Sequence, residues 1–235
     1  MTDPFSGLRV AITGGTSGLG LAIVRELVKR GARVAFVART PERVEQVARE
    51  NPGAHGIAGD VSVKEDIYPI AIQITGELGG LDVLINNASD LGPTPLPLLS
   101  DTECEDLERV FATNLFGPFR LTKALIGALA VSAREDRGAV VLNVSSDAAV
   151  NAYPGWGSYG SSKAALQHMS RIWNEEHAAE GVRFLSLDPG DMDTPMHAAA
   201  IPDADSATLK RPEQSAHEFL EAIAADLTDK RHDSR

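Results

Sequence analysis

Short apolar runs alternate with longer segments of helical period along the chain. The runs are rich in valine, isoleucine and leucine and lie at residues 8–12, 33–38, 81–85, 139–144 and 182–187, with a weaker one at 54–58. They lack polar alternation, which is typical of parallel strands covered by helices on both faces. The pattern predicts an α/β fold with one doubly wound parallel sheet in three layers, whose ligand cleft lies at the carboxyl ends of the strands.

Segments of helical spacing are predicted between and after these strands at 19–30, 41–50, about 101–132, 156–179 and about 212–226. Ser100-Asp101-Thr102-Glu103 is a capping-box signature that opens the long helix. Three irregular stretches at 89–99, 151–158 and 191–210 each follow a predicted strand. We expect them to lie over one edge of the cleft and to shape a substrate pocket.

No linker, repeat or low-complexity tract divides the 235 residues, so we expect a single domain over 1–235. The last nine residues, about 227–235, are mostly charged, and we expect a disordered tail there.

The composition changes this picture mainly through charge. Lysine and arginine number 22 against 33 acidic residues, a net charge of -11, which disfavours nucleic acid and anionic membranes as partners. Cys104 is the single cysteine, and no signal-like start or apolar run of about 18 residues is present. The six histidines show no paired ligand spacing, so no metal site is expected. These features predict a cytoplasmic protein.

A glycine-rich loop joins the first predicted strand directly to a helix. Glycines there let the backbone approach a pyrophosphate, which binds free N–H groups at the helix start. The alternative is a loop that merely needs positive φ angles, but the strand before it and the helix after it favour a dinucleotide site. The predicted loop contacts are Gly14, Thr16, Ser17, Gly18, Leu19 and Gly20.

The end of the second predicted strand indicates which cofactor binds. An acid there would bond a ribose 2′-hydroxyl, whereas an arginine accommodates a 2′-phosphate. This chain has Arg39 followed by Thr40 and no acid at that corner. The sequence therefore favours NADP(H) over NAD(H), the alternative being that Arg39 is an ordinary solvated residue.

Tyr159 and Lys163 lie four residues apart and so share one face of a predicted helix. A lysine ammonium beside a phenol favours the phenolate, which predicts that Lys163 lowers the pKa of Tyr159 and makes it a general acid or base. Such a pair also occurs by chance on helix surfaces. The chain has three tyrosines, and the Ser145-Ser146 pair precedes Tyr159 at a strand end, so coincidence is less plausible.

With these residues the chain resembles the short-chain dehydrogenase/reductase family, from residue 7 to about 225. The motifs that carry the resemblance are Thr13-Gly14-x-x-x-Gly18-x-Gly20, Asp60-Val61, Asn86-Asn87-Ala88, Asn114 with Gly117, Ser146, Tyr159 with Lys163, and Pro189-Gly190 with Thr194. One position departs, because Ser89 stands where the family usually has glycine.

The resemblance implies a Rossmann-type fold and an NADP(H)-dependent oxidoreductase that reduces a ketone or aldehyde, or oxidises the corresponding alcohol. It implies that Tyr159 exchanges the proton, Ser146 holds the carbonyl oxygen, Lys163 bonds the nicotinamide ribose, and Asn114 fixes a water linked to Lys163. The cofactor contacts it implies beyond the loop are Arg39, Thr40, Asp60, Val61, Asn87, Ala88, Tyr159, Lys163, Pro189, Gly190, Met192 and Thr194.

Two other functions compete with this interpretation. Nucleotide-sugar epimerases and dehydratases also use Tyr-x-x-x-Lys, but their loop spacing differs and they usually add a carboxyl-terminal domain. A non-enzymatic NADP(H)-binding sensor or scaffold is expected to lose a catalytic residue, and none is lost here. The family's final strand has no counterpart in the sequence, which puts the common tetramer in doubt. We expect a homodimer through the helices at about 101–132 and 156–179.

Overall fold

The computed structural model describes residues 3–233, and the side chains of residues 3–227. The strands are β1 (Arg9–Thr13), β2 (Arg33–Ala38), β3 (Ala54–Ala58), β4 (Val83–Asn86), β5 (Val140–Val144) and β6 (Arg183–Leu187). They form one parallel sheet in the order β3-β2-β1-β4-β5-β6. The chain order reverses between β1 and β4, which is where ligands bind in open sheets of this kind.

The helices lie on both faces of this sheet. They are α1 (Gly18–Lys29), α2 (Pro41–Glu50), α3 (Ile67–Leu78), α4 (Cys104–Phe111), α5 (Gly117–Arg134), α6 (Gly157–His177), α7 (Pro195–Ala200) and α8 (Pro212–Asp233). A π-helical turn, Ala112–Phe116, joins α4 to α5 without a break. Short 3-10 turns lie at Lys64–Asp66, Leu99–Asp101, Asp147–Ala149, Ala178–Glu180 and Ser206–Thr208.

Two apolar cores explain why the strands are apolar at nearly every position. Successive strand residues point to opposite faces, so Val10 and Ile12 of β1 pack in the core beneath α1 and α8. Ala11, between them, packs in the core beneath α3 and α5. All three are fully buried, which leaves no polar face for an alternating pattern.

The predicted doubly wound Rossmann-type sheet is confirmed, and each predicted strand lies within two residues of an observed one. The start of the long helix differs from its prediction. Thr102 Oγ1 donates to the Leu98 carbonyl oxygen at 3.0 Å and closes the 3-10 turn instead of capping a helix. The helix then begins at Cys104, with Glu103 in extended conformation before it.

The carboxyl-terminal helix also differs from the prediction. α8 continues to Asp233, beyond the predicted end near Asp226, and Leu227 is buried in the core beside α1. The predicted tail from about 227 therefore overlaps this helix, and its last two residues, Ser234 and Arg235, lie outside the described residues. Within residues 3–233 no strand follows α8.

The continuous helix Cys104–Arg134 is long and apolar enough, by length and composition alone, to cross a membrane. Of its most apolar stretch, 44% is buried within the fold. Burial of this kind is typical of a core helix, and such a helix is weak evidence for a membrane span.

Candidate active site

The cleft opens where β1 and β4 end side by side. Thr13 Oγ1 accepts hydrogen bonds from the backbone N–H groups of Asn87 and Ala88, both at 3.0 Å. In return, Asn87 Nδ2 donates to the Thr13 carbonyl oxygen at 2.9 Å. These bonds hold the glycine loop after β1 against the segment after β4.

Two glycines make the tight approach of loop and helix possible. A Cβ on Gly20 would lie 2.1 Å from the Gly14 carbonyl oxygen and 2.6 Å from Asn87 Nδ2. Gly14 itself has a φ of 72°, which favours glycine. The first turn of α1, Gly18 to Gly20, lines the cleft and contains no acidic side chain, so free N–H groups and a positive dipole end lie there.

One elongated cleft of about 300 Å³ runs from this loop to Tyr159. Arg39 and Thr40 are exposed after β2, at the end of the cleft away from Tyr159. No acidic side chain pairs with Arg39 among the described residues. Arg43, one turn into α2, approaches the Thr16 carbonyl oxygen with its Nη2 at 3.5 Å. This end of the cleft is therefore positively charged.

Lys163 and Tyr159 lie at the other end of the cleft, on one face of α6. Lys163 is 2% exposed, and its Nζ donates to the Val144 carbonyl oxygen at 2.8 Å. Burial lowers the pKa of Lys163 to about 8. The Lys163 Nζ lies 5.5 Å from the centre of the Tyr159 ring. The pair is buried, so it is not a chance surface pair.

Burial also dominates the chemistry of Tyr159. It raises the pKa of Tyr159 to about 12, while the nearby hydroxyls of Ser89 and Ser146 act to lower it. The structure thus corrects the expectation that the pKa of Tyr159 is lowered: burial raises it. At neutral pH Tyr159 is protonated and can donate a proton.

Asn114 lies in the π-helical turn, where the long helix is locally widened. Its Oδ1 accepts from the Asp90 N–H at 2.7 Å and from the Ser89 hydroxyl at 3.1 Å. Its Nδ2 donates to the Asp90 carbonyl oxygen at 2.8 Å and to Ser162 Oγ at 3.0 Å. Because all four hydrogen-bonding positions of the amide are used, the side chain has none left for the predicted water. Instead it ties the segment after β4 to α6.

Ser146 caps the 3-10 turn that follows β5. Its Oγ accepts from the Ala148 N–H and is 3.2 Å from Asp147 Oδ1, to which it donates. The hydroxyl is thus held at the entrance to a second, smaller pocket of about 100 Å³ that adjoins the cleft at Tyr159.

The three irregular stretches meet at this second pocket, as the sequence predicted. Leu91, Trp156, Met192 and Met196 line it, one or two from each stretch. Tyr153, in the second of these stretches, lies outside the pocket: it is 45% exposed and its hydroxyl donates to Asp147 Oδ2 at 2.8 Å. The pocket offers an apolar wall beside the hydroxyls of Tyr159 and Ser146.

These observations can be compared with known proteins. The chain matches the family described as short chain dehydrogenase over residues 9–205. The chain belongs to this family. Members of the family use a nicotinamide cofactor.

Three similar proteins place the chain within the family. The "Uncharacterized oxidoreductase Rv1543" of Mycobacterium tuberculosis is 34% identical over 230 residues, which cover 95% of this chain and 66% of that protein. The chain thus spans slightly less than two thirds of the length of that relative. The structure of 3-ketoacyl-(acyl-carrier-protein) reductase from Brucella melitensis complexed with NADH has a TM-score of 0.86 at 27% identity, covering 92% of this chain and 90% of that one. An alcohol dehydrogenase from Thermococcus sibiricus complexed with 5-hydroxy-NADP has a TM-score of 0.80 at 28% identity, covering 94% and 91%.

The residues of this family member fit a nicotinamide dinucleotide. The close contact at Gly20 and the free N–H groups of α1 suit a pyrophosphate, which needs backbone donors and no intervening side chain. The arginines at one end and the buried Lys163 at the other supply hydrogen-bond donors at both ends of the cleft.

Most predicted cofactor contacts line the cleft. Gly190 is the exception and lines the second pocket. Asn114, which was predicted as a catalytic residue, contacts Ser89 and lines neither space. The predicted residues that line the cleft are Gly14, Thr16, Ser17, Gly18, Leu19, Gly20, Arg39, Thr40, Asp60, Val61, Asn87, Ala88, Tyr159, Lys163, Pro189, Met192 and Thr194.

The sequence interpretation missed several residues of the site. Asp147, Asp188 and His197 line the second pocket. Asp147 and Asp188 come within three residues of a strand end, the same signal that identified Ser146, so they were detectable. His197 lies on α7, a short helix inside a stretch predicted as irregular, and no sequence signal marked it.

Proposed function

We propose that this protein is an NADP(H)-dependent oxidoreductase that interconverts a small ketone or aldehyde and the corresponding alcohol, with Tyr159 as general acid and base. The observation that carries the proposal is the position of Tyr159. It lines both the long cleft and the adjoining pocket, so its hydroxyl faces the place where a cofactor and a substrate would meet.

The bound cofactor supplies a hydride to the carbonyl carbon, or takes one from the alcohol carbon. In reduction Tyr159 gives its hydroxyl proton to the carbonyl oxygen, and in oxidation it takes that proton back. Because burial raises the pKa of Tyr159 to about 12, the protonated form needed for reduction predominates at neutral pH. Oxidation needs the phenolate, so we expect it to accelerate as the pH rises.

Ser146 and Lys163 support this step in different ways. The Ser146 hydroxyl turns from Asp147 to the substrate oxygen, where it stabilises the charge that develops on that oxygen. Lys163 holds the nicotinamide ribose through its ammonium, which lies at the bottom of the cleft beside Tyr159.

The preference for NADP(H) rests on Arg39 and Arg43. Both lie at the end of the cleft beside the glycine loop, and the corner after β2 carries no acid that could bond a 2′-hydroxyl. A guanidinium forms charge-assisted, bidentate bonds with a phosphate. Related structures contain NADH in one case and 5-hydroxy-NADP in another, so the family uses both types.

A panel of aldehydes, ketones and alcohols tests the proposal, with turnover measured from nicotinamide absorbance with each cofactor. We expect protein-dependent NADPH oxidation with at least one carbonyl compound, and slower turnover with NADH. Tight NADPH binding without turnover on the whole panel would favour a sensor or scaffold instead. Failure to bind either cofactor would contradict the proposal altogether.

A further inference from the structure

Three aspartates line the second pocket, which adjoins the cleft at Tyr159. They are Asp147, after β5, and Asp188 and Asp191, after β6. Among the described residues that line this pocket, none is a lysine or an arginine, and His197 is the one side chain that can carry a positive charge. The space proposed for the substrate is therefore negatively charged.

Neutral groups hold two of these carboxylates in place without cancelling their charge. Asp147 Oδ1 accepts from the Ser146 hydroxyl at 3.2 Å, and Asp147 Oδ2 accepts from the Tyr153 hydroxyl at 2.8 Å. Asp188 Oδ1 accepts from the Gly190 N–H at 3.0 Å. Hydroxyl and amide donors orient a carboxylate but leave its net charge intact, so both aspartates present a fixed negative charge.

The lysine beside this pocket is paired with another acid. Lys210 Nζ lies 3.7 Å from the position that a Cβ on Gly190 would take, but it donates to both carboxylate oxygens of Glu218, at 2.9 and 3.2 Å. Asp191 is exposed, and its Oδ1 lies 3.8 Å from His197 Nε2, too far for a hydrogen bond. The charge of Asp147 and Asp188 is thus left for a ligand to neutralise.

A buried hydroxyl without a partner lies at the same place. Ser145 is 5% exposed and lines both the cleft and the second pocket. Its backbone N–H donates to the Leu187 carbonyl oxygen, whereas its Oγ has no hydrogen-bond partner among the described residues. His197 Nδ1, at the second pocket, is likewise buried without a partner. Such groups cost free energy unless a partner is supplied, and a polar ligand in the pocket supplies one.

We propose that the second pocket binds a positively charged amino group of the substrate, so that the protein acts on amino ketones or amino aldehydes and the corresponding amino alcohols. This inference rests on the proposed function. Asp147 and Asp188 attract the ammonium, and Ser145 Oγ accepts one of its hydrogens. The same carboxylates repel a substrate that carries a carboxylate or a phosphate.

The amino group must lie close to the reacting carbon. Ser146, which would hold the substrate oxygen, is 3.2 Å from Asp147 Oδ1. When the Ser146 hydroxyl turns to the substrate, that carboxylate oxygen loses its donor, and the ammonium replaces it. The substrate oxygen and the ammonium are then a few hydrogen-bond lengths apart, which fits an amino group about one or two carbons from the carbonyl. The pocket volume of about 100 Å³ suits a molecule of this size.

Three small alcohols that differ in charge test this inference: 1-amino-2-propanol, 2-butanol and 3-hydroxybutanoate. Ligand-observed NMR measures their dissociation constants for the protein saturated with NADP+, at pH 7, where the amine is protonated. We expect the cation to bind about 10-fold more tightly than the other two, and its affinity to fall as salt is added. Equal dissociation constants, tighter binding of 3-hydroxybutanoate, or no binding of 1-amino-2-propanol would overturn the proposal.

Asp188→Asn removes one charge and keeps the oxygen that accepts from the Gly190 N–H. It should weaken 1-amino-2-propanol about 5- to 10-fold and change the uncharged 2-butanol much less. Asp203→Asn is the matched control, because Asp203 is an exposed aspartate after α7 that does not line the pocket. Equal losses in the two variants would mean that the general surface charge attracts the cation, which contradicts a specific site.

Turnover separates this inference from the proposed function. If 2-butanol or 3-hydroxybutanoate is oxidised with a kcat/KM equal to that of 1-amino-2-propanol, the proposed function holds and the amino-group inference fails. If 1-amino-2-propanol binds with the expected preference but no alcohol or carbonyl compound is turned over, the proposed function fails and the pocket remains a site for a cation.

Discussion

Lys163 is buried at the bottom of the cleft, where no carboxylate pairs with it among the described side chains. Burial lowers the pKa of Lys163 from its ordinary value of 10.5 to about 8. Below about pH 8 the folded protein holds a poorly solvated ammonium, which costs stability. Between about pH 8 and 10.5 the unfolded chain binds a proton that the folded chain does not, so stability rises with pH across that window.

Lys163→Met should therefore stabilise the protein near neutral pH while abolishing turnover. The lowered pKa of Lys163 corresponds to about 3 kcal/mol, from which the lost bond to Val144 subtracts about 1 kcal/mol. Urea unfolding at several pH values measures the difference between variant and wild type. We expect the gain in the free energy of unfolding to be largest near pH 7 and to shrink between about pH 8 and 10.5.

Lys64→Met, at an exposed lysine, should show no such pH dependence. An advantage of Lys163→Met that stays constant from neutral to alkaline pH would contradict the burial argument.

Arg39 provides the second prediction at the scale of single residues. Arg39→Ala should weaken NADPH binding about 10- to 100-fold, because a charge-assisted bond to the 2′-phosphate is lost, and should leave NADH binding nearly unchanged. Fluorescence titration with both cofactors measures the two dissociation constants. Arg49→Ala, at an exposed arginine of α2 paired with Glu45, is the control. Equal losses for both cofactors would show that Arg39 does not read the phosphate.

At the scale of elements, the two ends of β4 have separate tasks. Asn87 at the carboxyl end holds the glycine loop, whereas Asp82 precedes the amino end and is fully buried. Burial acts to raise the pKa of Asp82, but hydrogen bonds from Arg9, Arg137 and Ser132 outweigh it and hold the pKa below its usual value. Arg9 Nη2 lies 2.6 Å from Asp82 Oδ1, which links β1 to β4.

Asp82→Ala should lower the free energy of unfolding by about 3 kcal/mol or more, because it leaves two arginines without their buried partner. NADPH affinity of the folded variant should not change, since the cleft is at the other edge of the sheet. Glu50→Ala, which removes a surface pair with Arg25 at 3.9 Å, should cost less than about 1 kcal/mol. A loss of NADPH affinity in Asp82→Ala would contradict this division.

The elements also show what a sequence can and cannot reveal. The strands were predictable because burial on both faces produces apolar runs such as β2, whose bounds match the predicted 33–38. The π-helical turn at Asn114 was not, because it depends on hydrogen bonds to Ser89, Asp90 and Ser162, which are distant in sequence. Spacing placed Tyr159 and Lys163 on one helix face, but only burial revealed the direction of their pKa shifts.

At the scale of the whole molecule, exposed apolar side chains support the expected homodimer. Phe116, Phe119 and Ile172 are between one third and one half exposed, on or beside α5 and α6. Phe119 and Trp173 lie 6.1 Å apart, so the two helices share one apolar surface. These are the helices through which the sequence predicted association.

Light scattering at micromolar concentration should report a mass about twice 24.9 kDa. Ile172→Glu should yield monomers, because it places a charge in the apolar surface. Ile72→Glu, at a more exposed isoleucine on α3, should remain dimeric. A monomeric wild type would rule out the dimer.

The proposed dinucleotide is an anion, and only the local distribution of charge on this acidic protein favours its binding. The net charge of -11 would repel a dinucleotide, yet Arg39, Arg43 and the amino end of α1 surround one end of the cleft. We therefore propose that local charge rather than net charge attracts the anionic cofactor.

Turnover and NADPH binding measured together in Tyr159→Phe test the central claim most directly. The account predicts an unchanged dissociation constant for NADPH and a turnover lower by about 100- to 10,000-fold, because the hydroxyl that exchanges the proton is gone. Tyr68→Phe, at an exposed tyrosine of α3, should behave as the wild type. Turnover in Tyr159→Phe within tenfold of the wild type would contradict the account.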